Sequence, residues 1–137
     1  MYYKIAESAN DYRAVQNLLR SEGHKPQALT FPTILAFDEE RLVGVLATTP
    51  DPDMVLGGPM VLAKHKGAPF TAARLATLYQ QVLLSVGVKR IVFYADEVSS
   101  PFGRGMKRLF PNIEPYAKQG SVMFYNWPLE PELQRSA

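Results

Sequence analysis

The stretch VLAKHKGAPFTAARL, Val61–Leu75, runs from an apolar segment of strand length through a short basic loop into the start of a helix. Pro69 suits a first helical turn, because its fixed φ is helical and its missing N–H has no intrahelical acceptor to lose. Leu75, Leu78, Tyr79, Val82 and Val86 then recur at helical spacing, and Gly87 ends the stripe. Downstream, Ile91–Ala95 (IVFYA) is apolar without alternation, which predicts a strand buried on both faces. A strand, a long helix and a second buried strand form a crossover unit, so the two strands should run parallel through a right-handed connection.

Upstream, Thr33–Thr49 reads TILAF, then DEER, then LVGVLATT, two β-prone runs around a short polar connection. Pro50-Asp51-Pro52-Asp53 is a turn, and Met54–Ala63 is a third run that Gly57-Gly58-Pro59 interrupts, as a bulge or bend does. These three runs predict an antiparallel meander. Before them, Tyr2–Ala6 is β-prone. Ser8-Ala-Asn-Asp11 then offers an N-cap hydroxyl and an acid three residues on, ahead of Tyr12, Val15, Leu18 and Leu19 at helical spacing, with Gly23 as the C-terminal stop. Residues 24–31 have no clear period and admit a short helical turn. After the buried strand, a helix near Pro101–Leu109 and a last strand near Ser121–Trp127 complete the order β-α-β-β-β-α-β-α-β. An α+β domain with a central mixed, mostly antiparallel sheet is expected over residues 1–128, followed by a polar tail, 129–137.

The chain has 137 residues, which fits one domain, and 47% hydrophobic with 20% charged residues is a globular composition. It has no cysteine, so disulfides, thiolate metal sites and cysteine nucleophiles are excluded, and two histidines leave little for a metal site. Met1–Ser8 has no apolar leader core, and no apolar stretch nears the roughly 20 residues of a membrane span. A cytoplasmic protein without membrane contact is expected. The net charge of +2 conceals a partition: residues 64–118 hold nine Lys/Arg against three Asp/Glu, and the remainder holds six against ten. The basic segment lacks exposed aromatics interleaved at strand spacing, which argues against nucleic acid.

Three stretches carry a resemblance. Ala36–Ala47 (AFDEERLVGVLA) places an acidic turn before a strand with the Val43-Gly44 pair, Val61–Leu75 forms a strand, loop and helix, and Ser99–Phe110 (SSPFGRGMKRLF) follows the buried strand. With the element order, they resemble the GNAT family of acetyl-CoA-dependent N-acyltransferases from Tyr3 to Trp127. The resemblance implies acetyl-CoA as co-substrate, its pantetheine arm pairing with the backbone of Val61 and Ala63 and its pyrophosphate on Lys66, Gly67, Ala68, Phe70 and Thr71. A loop feeding a helix suits that anion, since unpaired N–H groups and the positive end of the helix dipole converge there. The family's later loop glycines fall on Pro69 and Thr71. Its helical tyrosine, which protonates the leaving thiolate, falls on Met106, a side chain with no proton to give; Tyr94, Tyr116 and Tyr125 are the phenols at hand.

Asp96 and Glu97 follow the buried strand and are the candidate general bases for an amine acceptor. Arg104, Lys107 and Arg108 share a helix face that either meets a cofactor phosphate or faces water. His24 and His65, each beside lysine, read as exposed. Two functions follow from the resemblance. One is transfer of an acetyl or acyl group from CoA to an amine of a small molecule or protein, with the acids at Asp38–Glu40 and Asp51–Asp53 attracting a cationic acceptor. The other is an inactive protein-binding or regulatory module, since small divergent chains of this kind resemble bacteriophage proteins that act on host proteins. A homodimer through an exposed last strand is a further expectation.

Overall fold

The computed structural model describes residues 1–96 and 100–130. Its seven strands form one sheet in the order β1-β2-β3-β4-β5-β7-β6. Strands β1 (Tyr2–Ile5), β2 (Thr30–Asp38), β3 (Arg41–Thr49) and β4 (Leu56–Leu62) pair antiparallel in sequence order. The crossover helix α2 (Ala68–Ser85) then returns the chain to β5 (Arg90–Asp96), which is parallel to β4. After α3 (Ser100–Leu109), a hairpin of β6 (Glu114–Gln119) and β7 (Val122–Pro128) closes the sheet, with β7 along the whole of β5. The α+β mixed sheet is as expected. The strand β6 is a correction, because all six residues of EPYAKQ are exposed and no buried face writes a period of two into the sequence.

Helix α1 (Ala9–Ser21) packs on one face of the sheet, with Val15, Leu18 and Leu19 against Leu35, Val45, Val61 and Ala63. Helices α2 and α3 share the other face, where Leu75, Tyr79, Met106 and Phe110 meet Ile34, Phe93 and Trp127. Alternation along each strand divides the apolar residues between these cores. Both long helices end as their glycines predict. Gly23 and Gly87 have φ of 84° and 87°, and the next N–H reaches back to Leu19 O at 2.9 Å and to Leu83 O at 3.0 Å, the Schellman pattern.

The first residues past the last strand are also held. Leu129 is buried, its N–H reaches Lys89 O at 2.9 Å, and Glu130 N donates to the buried Gln80 Oε1 at 2.9 Å. Leu129 and Glu130 therefore pack with the domain although the sequence placed them in the tail, and residues 131–137 lie outside the described residues.

Two local devices fix the frame. At the start of α1, Asp11 N donates to Ser8 Oγ (3.1 Å), while Asp11 Oδ2 accepts from Glu7 N (2.9 Å) and lies 3.1 Å from Lys4 Nζ. The Glu7 N–H, with help from Lys4, holds the Asp11 carboxyl below the usual carboxylate range. At the middle of β4, Gly58 has φ of 125°, and a Cβ there would lie 2.9 Å from the Tyr94 ring, so both backbone conformation and space demand glycine.

Replacing Asp11 with alanine should cost about 1 kcal/mol of stability in urea unfolding at pH 7. Since the folded pKa is the lower one, that contribution is present above the ordinary carboxylate range and disappears as pH falls through the folded value. Gly58→Ala should cost about 1–3 kcal/mol, measured in the same way, because it adds strain at positive φ to a clash with an aromatic ring.

Candidate functional site

Strands β4 and β5 are paired only at Leu56 with Val92 and Gly57 with Phe93. Beyond those pairs β4 runs on to Leu62 and β5 to Asp96 without contact in the ladder, so the sheet opens as a V toward the C-terminal ends of both strands. The bulge that shifts the β3–β4 register between Leu46 and Thr48 falls opposite the point of parting. Tyr94 occupies the apex from the α1 face, its hydroxyl 2.9 Å from Thr49 Oγ1 and 3.4 Å from Gln27 Oε1.

The register shows which backbone groups line the V. Ala63 N donates to Val43 O at 2.8 Å, and Val61 stands opposite Val45 two residues earlier on the same ladder. In an antiparallel pair hydrogen-bonded and non-hydrogen-bonded positions alternate, so Val61 and Ala63 direct their backbone groups to β3. The edge facing β5 belongs to Met60 and Leu62. This corrects the expected pairing residues by one position; the side chains of Val61 and Ala63 are buried under α1.

At the mouth of the V the chain turns into α2. Gly67 is the N-cap residue in the left-handed conformation (φ 85°), with no side-chain cap, and its carbonyl accepts from Phe70 N at 3.0 Å and Thr71 N at 3.1 Å. Pro69 has no N–H, and the Phe70 N–H is already turned back to Gly67, which leaves the donors of Lys66, Gly67 and Ala68 for an anion. Thr71, expected at the cofactor, is 1% exposed. Its methyl packs near Gly44, where a Cβ would lie 3.3 Å from it, and its hydroxyl meets His65 Nε2 at 2.8 Å. His65 Nδ1 lies 2.7 Å from Ala63 O. The imidazole thus bridges strand end and helix start, where the sequence suggested an exposed side chain.

Between the first turns of α2 and the last turns of α3 lies an open groove of about 570 Å3 with Leu62 at its back. Ala68, Pro69, Phe70 and Ala73 form one wall and Gly105, Met106 and Leu109 the other, with Arg108 as its charged residue. Phe70 is 83% exposed at the rim and Lys66 is exposed beside it. Met106, 2% exposed, also lines a small cavity of about 10 Å3 at the apex of the V, room for about one water. Trp127 borders this void, and its buried Nε1 has no hydrogen-bond partner among the described residues.

The remaining expectations divide. Lys107 is turned away, its Nζ donating to Ile113 O at 2.7 Å. The acids at Asp51–Asp53 lie at the closed end of the V, where Asp51 Oδ1 accepts from Asp53 N and Met54 N and serves as a turn residue. Tyr125 is stacked on Phe93 with ring centroids 4.9 Å apart, and Tyr116 is exposed on the edge strand β6. Asp96 ends β5 opposite Val122, but its side chain, that of Arg104 and all of Glu97 lie outside the described residues. Among the described residues no cluster of potential metal ligands occurs, and no helix is long and apolar enough to cross a membrane.

The mixed seven-stranded sheet with its crossover helix has the fold of solved GNAT acetyltransferases. The E. coli ribosomal-protein-S18-alanine N-acetyltransferase superposes with a TM-score of 0.73 at 9% identity, over 93% of this chain and 94% of that one. The aminoglycoside 6'-N-acetyltransferase of Enterococcus faecium does so with 0.64 at 15%, over 96% and 99%. A phosphinothricin acetyltransferase of Sinorhizobium meliloti, solved in complex with acetyl-CoA, gives 0.69 at 14%, over 93% and 88%. No protein-family model matches the chain, and no curated protein sequence does. The likeness is therefore one of fold.

Met106 is the partition between groove and void, so Met106→Ala should destabilise the protein by about 2–4 kcal/mol, while Met106→Leu, which preserves volume, should cost less than about 1.5 kcal/mol. Chemical unfolding of the two variants measures the difference.

Proposed function

We propose that the chain is an acyl-CoA-dependent N-acyltransferase that moves an acetyl or other acyl group from a CoA thioester to an amine of a small molecule or protein. The observation that carries this reading is the unpaired edge of β4 at the back of an apolar groove. Met60 and Leu62 present backbone amide groups to the V where no strand answers them, and backbone donors and acceptors left out of a ladder need another partner. The pantetheine arm, an extended chain with two amides, meets that need as a substitute strand. Its pyrophosphate would rest on the N–H groups of Lys66, Gly67 and Ala68, with Lys66 and Arg108 supplying charge at the rim.

The chemistry asks little more than positioning. A neutral amine attacks the thioester carbonyl, a C–N bond forms as the C–S bond breaks, and the proton lost by nitrogen ends on the thiolate as free CoA. Removing the entropy of bringing the two reactants together supplies much of the acceleration in such a direct transfer. Asp96 and Glu97 are the proposed bases that keep the amine neutral. No acid stands at Met106, so the thiolate takes its proton from Tyr94 or from solvent.

The same Met106 favours a second reading, a GNAT-fold module that binds without catalysis. Calorimetry with CoA followed by thiol release from acetyl-CoA over a panel of amines separates them. The acyltransferase reading expects saturable CoA heat that Lys66→Ala and Arg108→Ala each weaken by about three- to tenfold at low salt and less at high salt, and then thiol release with some amine. Binding without release supports the module. A folded protein that gives no heat with CoA overturns the acyltransferase.

A further inference from the structure

The groove and the apex cavity follow one another along the unpaired stretch of β4. Leu62 stands at the back of the groove, and Met60, Gly58 and Gly57 line the cavity. An extended chain that enters beside the α2 loop and pairs with β4 therefore passes Leu62 first and has its far end at the cavity. Among the described residues Met106 alone lines both spaces. The rest of the cavity wall is held in place. Tyr79 stacks on Trp127 with ring centroids 6.0 Å apart, Phe93 stands edge-on to Trp127 at 5.8 Å, and the Tyr79 hydroxyl is tied to Thr48 Oγ1 at 2.6 Å. On the strand side Gly57 has no side chain to withdraw, and even a Cβ there would lie 3.1 Å from Ile91 Cδ1 and 3.3 Å from Phe93 Cβ. Buried rings packed in this way have no free volume to move into. Met106 is unbranched and has the open groove on its other side, so one side chain decides how much room lies beyond the groove. As seated it leaves about 10 Å3, space for one water-sized group.

Resting on the acyl-CoA reading, we propose that Met106 determines the length of the acyl group: the apex cavity receives the end of the acyl chain, and Met106 limits that end to the methyl of an acetyl group. The group beyond a thioester carbonyl is a methyl in acetyl-CoA, which is the size of the space. Each further methylene needs room that only displacement of Met106 would supply. Overfilling a packed site forces side chains away from their favoured rotamers, so longer acyl groups lose affinity. A side chain with no proton to give thus has a part in the site through its shape.

Calorimetry with CoA, acetyl-CoA, propionyl-CoA and butyryl-CoA tests this without any acceptor, and each affinity taken relative to CoA on the same variant isolates the acyl end. The wild type should bind acetyl-CoA at least as tightly as CoA, and butyryl-CoA about tenfold more weakly than acetyl-CoA. In Met106→Ala that loss should disappear and butyryl-CoA should bind more tightly than acetyl-CoA, since each methylene buried in the new space is worth about a factor of four. Met106→Val, which removes less of the side chain, should accept propionyl-CoA and serves where the alanine variant does not fold. Met106→Leu, which preserves volume, should keep the wild-type order. Equal affinity of the wild type for acetyl-CoA and butyryl-CoA, or the wild-type order of acyl groups in a folded alanine or valine variant, overturns this inference and leaves the acyltransferase reading standing. A folded wild type that gives no heat with CoA or any of its thioesters overturns both.

Discussion

The parting of β4 from β5 is the constraint on which the rest depends. Two parallel strands joined by a crossover helix ordinarily pair along their common length, yet here only two residue pairs form. Gly58 explains where the pairing stops. Its φ of 125° and the Tyr94 ring against its Cα bend β4 away at the first residue after the ladder. An unpaired strand edge inside a sheet is a row of amide groups in want of partners, a liability that proteins cover or use. The helices on the far face, α2 and α3, cover it only in part, and the part left open is the groove. Everything assigned to ligand binding follows from that one interrupted ladder.

The entry to α2 responds to the same geometry in another way. Where a glycine would bring backbone close to a phosphate, the chain has a buried threonine, and a buried hydroxyl needs a partner. His65 supplies it, and in doing so ties the strand end to the helix start. Pro69 fixes the helical turn at the loss of one donor. The loop gains rigidity from side chains where a glycine-rich loop would offer more N–H groups, and its cations are Lys66 within it and Arg108 on the facing wall of the groove.

Much of this was legible in the sequence. The meander, the crossover helix and the buried strand all announce themselves through period and punctuation, and the Ser8–Asp11 capping box and both C-terminal glycines stand where they were read. The failures have physical causes. Strand β6 packs no side chain inward and so has no pattern to read. The one-position error at Val61 and Ala63 arose because backbone direction follows the pairing with β3, which no side-chain periodicity records. His65 looked solvated because its partners, Ala63 O and Thr71 Oγ1, are recognised only once the strand end and helix start are in space. Met106, by contrast, falls by resemblance on the position of the family's helical tyrosine, and the fold seats it in the wall between groove and apex void.

The charge partition of the chain acquires direction from the register. Because β3 runs opposite to β4, the turn at Asp38–Glu40 lies at the open end of the V, the same end as Lys64, Lys66 and Arg108, whereas Asp51–Asp53 lies at the closed end. A polyanion approaching the open end meets cations on the α2 and α3 side of the sheet, while the acids there belong to the β2–β3 edge. The groove itself is lined mainly by apolar residues, so contact area within it and charge near its rim would act on different parts of a ligand lying along it. That division fits a molecule with an apolar, amide-bearing arm and an anionic end better than it fits a uniformly charged polymer. A nucleic acid would need its phosphates along the whole path, and the walls formed by Leu62, Phe70 and Leu109 have no charge to offer them.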